Sequence, residues 1–217
     1  MHTLNPTTNS KTLQRYISFL FYQIYFFFFS TKISKKMIYL ENKKIKLRAL
    51  EPEDLDFLYK WENDTKFWKE GNNINPYSRY TLKCYIENSH SIYEQKQLRM
   101  MIEEKDSSSV VGCVDLFNLD IHNLRVGIGI LIDERFSNKG FATQAIGLSC
   151  QYAFDFLHLH QVYCHIAANN FASVKVFEKV GFKKNGILKD WLLIENNFVD
   201  THIYTLLNNK HFFHKPD

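Results

Sequence analysis

The sequence predicts an α/β fold: a single domain with one mixed, largely antiparallel sheet flanked by helices. Strand-like apolar runs alternate with stretches of helical periodicity from Met37 onward. Their order is β-α-α-β-β-β-α-β-α-β-β, in which consecutive strand patterns are joined by short polar turns. The 217-residue chain is 45% hydrophobic and 23% charged, so it can form a packed core and is not globally disordered.

Seven strand patterns recur along this domain, at 44–50, 98–104, 109–117, 125–133, 161–168, 187–195 and 197–207. The second and third are separated by the polar turn 105–108, and the last two form a hairpin about Asn196-Asn197. The fourth run is apolar enough to be buried on both of its faces. These two hairpin connections predict antiparallel pairing of the strands that they join.

Helical periodicity covers four stretches, at 51–64, at 78–95, in the run that opens at Gly140, and at 172–180. Pro52 suits a first helical turn, and the acidic residues around it suit the positive end of the helix dipole. We therefore interpret these acidic residues as a helix cap. Gly181 follows the last stretch in the position where glycine commonly ends a helix.

Residues 1–36 differ in composition from the rest, and we interpret them as an N-terminal extension to a domain at 37–209, with a C-terminal tail at 210–217. The extension contains five basic residues and no acidic one, which leaves 22 basic against 23 acidic residues elsewhere. The formal charge of +4 therefore becomes −1 without the extension. Phosphate binding needs a concentrated basic face, so we expect no nucleic-acid partner.

Within the extension, residues 16–30 read YISFLFYQIYFFFFS, an apolar and aromatic segment. A bilayer-spanning helix needs about 20 residues, and the STKISKK that follows is not a small-residue cleavage site. Three interpretations stay open: a poorly ordered extension read through to a start at Met37, a membrane-associating or export segment, or an added element of the domain. We expect a cytoplasmic protein, with any membrane role confined to 16–30.

The four cysteines, Cys84, Cys113, Cys150 and Cys164, form no CxxC pair and no metal-like spacing. We interpret them as small apolar residues in a reducing compartment rather than as disulfide partners. We also expect no bound metal.

The stretch RFSNKGFATQA at 135–145 places a glycine-containing turn between a strand and a helix. Asn138-Lys139-Gly140 would present several unpaired N–H groups at the positive end of a helix dipole, an arrangement that binds phosphate or pyrophosphate. Gly140 would let the backbone approach such an anion without a Cβ in the way. An ordinary strand-to-helix turn is the alternative. The patterns GxxxxGK[ST] and GxGxxG are absent, which argues against an ATPase or a dinucleotide enzyme.

A second motif, NNFASVKVFEKVGF at 169–182, follows roughly thirty residues later. Together the two motifs resemble the GNAT acyltransferase superfamily, whose Q/R-x-x-G-x-G/A loop holds the coenzyme A pyrophosphate and whose N-x-x-S borders the pantetheine. KIKLRALEPEDL and GILKDWLL also look like the branch with spermidine acetyltransferases and ribosomal-protein N-terminal acetyltransferases. The matching motif residues are Gly140, Ala142, Asn170, Ser173 and Lys179-Val180-Gly181-Phe182.

This resemblance covers about 38–207 and implies the GNAT acyl-CoA N-acyltransferase fold, with acetyl-CoA as co-substrate and a primary amine as acceptor. A polyamine such as spermidine is the implied acceptor and a peptide N-terminus the alternative, because the branch contains both. A homo-oligomer is also expected. The coenzyme-binding residues that the resemblance implies are Leu131, Ile132, Ser137, Asn138, Lys139, Gly140, Phe141, Ala142, Thr143, Asn170, Ser173 and Phe177.

The sequence departs from the family at catalytic positions. The tyrosine often proposed as general acid for the thiolate is Phe177 here, and a glutamate common at the start of the fourth strand is Gly127. The usual Gln or Arg of the loop is Ser137, followed by Asn138, but backbone amides bind the phosphates and the affinity for coenzyme should survive. A binding module that kept the coenzyme pocket and lost the chemistry is therefore an alternative of another class.

Transfer from a thioester to an amine needs a neutral amine, a polarised carbonyl and a protonated thiolate. Asp115 matches a position where spermidine acetyltransferases have a glutamate, which implies contact with the acceptor amine. His165 is the candidate base, on the strand that follows the coenzyme-binding helix. The alternatives are a strand-end carboxylate and a packed core histidine. A backbone N–H near Leu131 or Ile132 is expected to polarise the carbonyl.

The acceptor is expected between the first helices and the central strands. Trp61, Glu62 and Trp68 are candidate substrate residues together with Asp115, because a polyamine suits aromatic rings mixed with acids. Burial of Trp61 and Trp68 in the core is the alternative.

Overall fold

The computed structural model describes residues 40–68, 75–88 and 91–209. The predictions made for 1–36 and for the tail at 210–217 lie outside these ranges. Among the residues that are described, no helix is both long enough and apolar enough to cross a membrane.

The described residues form a seven-stranded sheet in the order β1-β2-β3-β4-β5-β7-β6. Neighbouring strands are antiparallel except for β4 and β5, which are parallel. The predicted mixed, largely antiparallel sheet is therefore confirmed. The strands are β1 (Ile45–Ala49), β2 (Gln97–Glu104), β3 (Val110–Asp120), β4 (Arg125–Ile132), β5 (Gln161–Ala167), β6 (Lys183–Ile194) and β7 (Asn197–Leu207).

The α-helices of the described ranges are α1 (Leu55–Glu62), α2 (Thr65–Trp68), α3 (Arg79–Asn88), α4 (Ile92–Gln95), α5 (Phe141–Gln151) and α6 (Phe171–Val180). The acidic residues before α1 have a structural role, because the Asp54 carboxylate accepts hydrogen bonds from the Glu51 N–H and the Arg48 guanidinium. The single helical stretch predicted at 78–95 is two helices. α4 has its own cap, the Ser91 hydroxyl, which accepts from the Glu94 N–H.

The sheet has two covered faces, since alternate strand residues point to opposite sides. The first face packs against α5 and α6, with Ile128 and Phe141 in its core. The second face packs against α1 and α3 through a smaller cluster that includes Leu58, Leu82 and Met101. β4 contributes to both, because Ile130 and Ile132 pack on the first face while Leu131 packs on the second.

The hairpin between β6 and β7 turns one residue earlier than predicted. Glu195 and Asn196 occupy the turn with φ values of 49° and 65°, and Asn197 already pairs with Ile194. A two-residue hairpin turn favours two left-handed residues because its twist then matches that of the strands.

The strands β4 and β5 stay together for only part of their length. They pair over Arg125–Gly127 and Gln161–Tyr163 and then separate. Beyond Gly127, β4 remains paired with β3 as far as Ile132, and β5 remains paired with β7 as far as Ala167. The expectation that 125–133 is buried on both faces therefore holds for Val126–Ile128, whereas Gly129–Ile132 are only half-buried. The divergence leaves an opening in the middle of the sheet.

Candidate active site

The main chain of β4 presents hydrogen-bonding groups to this opening. The Asp133 N–H donates to the Val111 carbonyl on β3 at 2.9 Å. Because successive N–H groups of a strand point to alternate sides, those of Ile132 and Ile130 face the side from which β5 has diverged. On the same alternation the N–H of Leu131 faces β3. Of the two positions considered for carbonyl polarisation, Ile132 is therefore the one directed at the opening.

The loop after β4 leads into α5 through two left-handed residues, Asn138 with φ 60° and Gly140 with φ 79°. Gly140 is the N-cap residue, and no side chain caps the helix. The first N–H groups of an α-helix have no intrahelical partner, so those of Phe141, Ala142 and Thr143 are available to an external acceptor. The positive end of the helix dipole lies at the same place. The glycine turn therefore has the geometry of an anion site.

Side chains add positive charge beside this turn. Ser137, Asn138, Lys139 and Gly140 are exposed, whereas the Phe141 side chain is buried, so only its main chain can meet a ligand. The Lys44 Nζ donates to the Lys139 carbonyl at 3.0 Å and lies 4.7 Å from the centre of the Phe141 ring.

The same loop is anchored to α1 by Asp133, whose side chain is buried. Its carboxylate accepts from Arg135 Nε at 2.9 Å, from Lys60 Nζ at 2.9 Å and from Trp61 Nε1 at 3.3 Å. These hydrogen bonds, Arg135 first, outweigh the cost of burial and hold the pKa of Asp133 well below its ordinary value. Trp61 is only 3% exposed. It is a core residue, the alternative left open above, and we do not include it in the acceptor site.

The N-x-x-S residues, Asn170 and Ser173, lie at the start of α6, just after the C-terminal end of β5. The Asn170 side chain caps the helix, because its Oδ1 accepts from the Ser173 N–H at 3.0 Å. Phe177 is 3% exposed and packs edge-to-face on Phe182, with ring centres 5.1 Å apart. It therefore lies in the core of the first face and offers no hydroxyl to a thiolate.

On the second face, three charged side chains meet over β2 and β3, one strand away from the opening. Arg99 donates from Nε to Asp115 Oδ1 at 2.7 Å and from Nη2 to Asp115 Oδ2 at 2.9 Å, and its Nη1 donates to Glu62. Burial disfavours the charge on Arg99, but the two carboxylates hold the pKa of Arg99 well above its ordinary value. Trp68 lies next to Glu62, because its Nε1 donates to the Glu62 main-chain carbonyl at 2.7 Å. The structure therefore brings Glu62 and Asp115 together on Arg99, a residue that the sequence analysis did not single out.

A row of aromatic side chains crosses the same face from β3 to β5. A Cβ built on Gly127 would lie 2.4 Å from Phe117 Cε2, so the Phe117 ring fills the space that a glutamate there would need. The ring lies edge-on to Tyr163, with centres 6.2 Å apart, and Tyr163 lies 5.6 Å from the His165 ring. His165 is exposed, on the part of β5 that has left β4.

Potential metal ligands and thiols are the other reactive side chains of the described residues. No cluster of three or more His, Cys, Asp or Glu side chains among them could hold a metal ion. The four cysteines are free thiols. Burial raises the pKa of Cys113 and of Cys150 to about 12, so both are neutral and poor nucleophiles near pH 7.

Comparisons with known proteins agree with this geometry. An acetyltransferase (GNAT) domain model matches residues 44–183. Spermidine N(1)-acetyltransferase of Vibrio cholerae is 28% identical over 173 residues, which are 78% of this chain and 96% of the relative. The enzyme of the same name from Escherichia coli K12 is 27% identical over 157 residues, 71% of this chain and 81% of the relative.

Solved structures give the same result. The Vibrio cholerae spermidine N-acetyltransferase in complex with CoA and spermine matches with a TM-score of 0.71 at 27% identity, over 78% of this chain and 98% of that chain. A ribosomal-protein-S5-alanine acetyltransferase from Vibrio fischeri matches with a TM-score of 0.69 over 79% of this chain and 97% of that chain, and its 17% identity shows a shared fold alone. The chain therefore belongs to the GNAT acetyltransferase family, and it is an N-acetyltransferase that uses acetyl-CoA.

Proposed function

We propose that this enzyme transfers the acetyl group of acetyl-CoA to a primary amine of a polyamine, with spermidine as the first candidate. The observation that carries the proposal is the opening between β4 and β5. The unpaired main-chain edge of β4 borders it, and Asp115 lies on the neighbouring strand β3, opposite Gly129 of β4. The relatives named spermidine N-acetyltransferases support the choice of acceptor.

The coenzyme would be held chiefly by main-chain groups. The N–H groups of residues 138–143 would bind the pyrophosphate at the start of α5, whereas the Ser137 N–H already donates to the Glu134 carbonyl at 3.1 Å and would leave only its hydroxyl for the ligand. The free edge of β4 at Ile130 and Ile132 would pair with the extended pantetheine as an additional strand does, and an N–H there would polarise the thioester carbonyl. Asn170 and Ser173, at the start of α6, would border the same chain.

The chemistry requires attack of a neutral amine on the thioester carbonyl. A C–N bond forms, the C–S bond breaks, and the amine loses a proton while the departing thiolate gains one. His165 is our candidate to accept the amine proton, through a water molecule. Phe177 has no hydroxyl, so we propose that the thiolate takes its proton from solvent. Glu62, Trp68 and Asp115 would bind the acceptor.

Further proposals concern the setting of the enzyme. We infer that 37–209 is the catalytic domain. We also infer that the protein is cytoplasmic, because its four cysteines are free thiols, the state expected in a reducing compartment. A homo-oligomer is also proposed, since a structure of the Vibrio cholerae spermidine N-acetyltransferase, 28% identical with a TM-score of 0.66, is dodecameric.

An acceptor screen tests the proposed function. Release of the coenzyme thiol would be measured with spermidine, spermine, short peptides with free N-termini and aminoglycosides. Turnover of polyamines, with little on peptides, is the expected result. Turnover of peptides with none on polyamines would overturn the proposed acceptor. Acetyl-CoA binding without turnover of any amine would indicate a coenzyme-binding module instead.

A further inference from the structure

Two glycines of β4, Gly127 and Gly129, lie on the second face and have opposite surroundings. A Cβ on Gly127 would collide with the Phe117 ring at 2.4 Å. A Cβ on Gly129 would find Phe117 Cε1 at 3.7 Å, an ordinary contact, and no other atom of the described residues within 4 Å. Packing against Phe117 therefore requires a glycine at position 127. At position 129 a side chain would fit, so the glycine there leaves an unfilled space above the strand.

The space over Gly129 is a short groove with chemically different sides. Phe117 bounds it at one end, and Leu131, two residues along β4 on the same face, bounds it at the other. Asp115 stands directly across on β3, because it pairs with Gly129 in the strand register. On the β5 side the groove meets the opening, since β5 has separated from β4 after Gly127. Gly129 itself is only partly buried, as are Phe117, Leu131 and Asp115.

The carboxylate on this groove is held in a fixed position. Both oxygens of Asp115 accept from Arg99, in a bidentate pair that orients the carboxylate plane. Each carboxylate oxygen has a second acceptor site, and the Asp115 side chain is 21% exposed. It can therefore accept a further hydrogen bond from a cationic ligand.

We propose that Gly129 determines the acceptor specificity of this enzyme, because its missing side chain forms the floor over which an unbranched methylene chain passes from Asp115 to the thioester. The proposal rests on the proposed function. Two apolar walls suit methylene groups, and the carboxylate suits a second ammonium group on the same acceptor. A peptide N-terminus, whose amine is attached to a branched carbon, fits this floor less well.

The test compares Gly129→Ala and Gly129→Val with the wild type. A β-branched residue is favoured in strands, and the Cβ has room, so both variants are expected to fold. The kcat/KM for spermidine should fall several-fold in Gly129→Ala and at least about tenfold in Gly129→Val, since one methylene in a fitted pocket already changes kcat/KM by about tenfold or more. The loss should appear mainly in the KM for the amine, with the Kd for acetyl-CoA within about twofold of wild type.

Gly186→Val is the matched control. Gly186 is also a strand glycine with room for a Cβ, which would lie 3.6 Å from Ile203 Cδ1. It differs from Gly129 in its place, because it lies on the edge strand β6. This variant should keep wild-type kcat/KM. A Gly129→Val enzyme as active on spermidine as Gly186→Val would overturn the groove while leaving the proposed function intact. A wild-type enzyme that acetylates no polyamine would overturn both.

Discussion

The two proposed binding regions of this enzyme are built from different kinds of atoms. The coenzyme side consists mostly of main-chain N–H groups, at the free edge of β4 and at the start of α5, where no side chain caps the helix. The acceptor side consists of the charged side chains of Arg99, Asp115 and Glu62. It also includes the space left by the absence of a side chain at Gly129. Main-chain geometry depends on the fold more than on residue identity. We therefore expect substitutions to be tolerated on the coenzyme side and to change specificity or stability on the acceptor side.

The largest effect is expected from Arg99→Met. This change leaves Asp115 and Glu62, whose side chains are 21% and 17% exposed, without their shared guanidinium. The free energy of unfolding should fall by about 3 kcal/mol, the cost of breaking a buried ion pair from one side. Urea denaturation measures it. Arg125→Met is the control, because Arg125 is 50% exposed in its pair with Asp120, and a loss below about 1 kcal/mol is expected there. Equal losses in the two variants would contradict this account.

Asp115→Asn tests the acceptor side without changing its shape. If Asp115 pairs with an ammonium group, the KM for spermidine should rise by the equivalent of about 1–3 kcal/mol, with the KM for acetyl-CoA unchanged. Glu103→Gln is the control, since Glu103 is 20% exposed and accepts one hydrogen bond from Arg48 Nε at 2.8 Å, away from the proposed acceptor site. Steady-state kinetics on both variants decides the matter. A wild-type KM in Asp115→Asn would remove this carboxylate from the acceptor site.

Gly140→Asp should weaken coenzyme binding at the N-cap of α5. The new residue would have to adopt φ 79°, and its carboxylate would face the pyrophosphate. We expect acetyl-CoA to bind at least about tenfold more weakly, or about 1.4 kcal/mol, by calorimetry. Ser137→Ala, in the same loop, should change the Kd by less than about twofold if main-chain groups carry the binding. The opposite ranking of these two variants would show that side chains hold the coenzyme.

The smallest effect is expected from deleting residues 1–36. Every residue assigned to either region lies after Met37, so the shortened protein should fold and keep its kcat/KM for spermidine. Circular dichroism and the thiol-release assay check this. Loss of folding or of activity would mean that the extension belongs to the domain.

Sequence reasoning found the features that depend on local spacing. The Asn138–Gly140 turn and the Asn170 cap each lie within a few residues of the helix that they begin, so their patterns are visible in the sequence. It missed Arg99 and Lys44, because each reaches the site through pairing of distant segments. Lys44 meets Lys139 across 95 positions, and Arg99 joins Asp115 only through the register of β2 and β3.

The replacement at Gly127 shows the same limit. The sequence shows that a glutamate is missing, but only the packing shows that the Phe117 ring on the neighbouring strand takes its space. Likewise the opening beside Ile132 follows from where β5 leaves β4, which no local pattern in β4 encodes. Features set by neighbours along the chain could be predicted, whereas side-chain contacts between strands and the point at which β5 leaves β4 could not.

The anchoring of the coenzyme loop by Asp133 has a thermodynamic consequence. This single carboxylate holds Lys60 and Trp61 of α1, and one residue further along α1 is Glu62 of the acceptor group. If acetyl-CoA binding fixes this loop, it also favours one arrangement of α1. Reciprocity then requires that a bound amine strengthen the binding of acetyl-CoA by the same factor by which acetyl-CoA strengthens the binding of the amine.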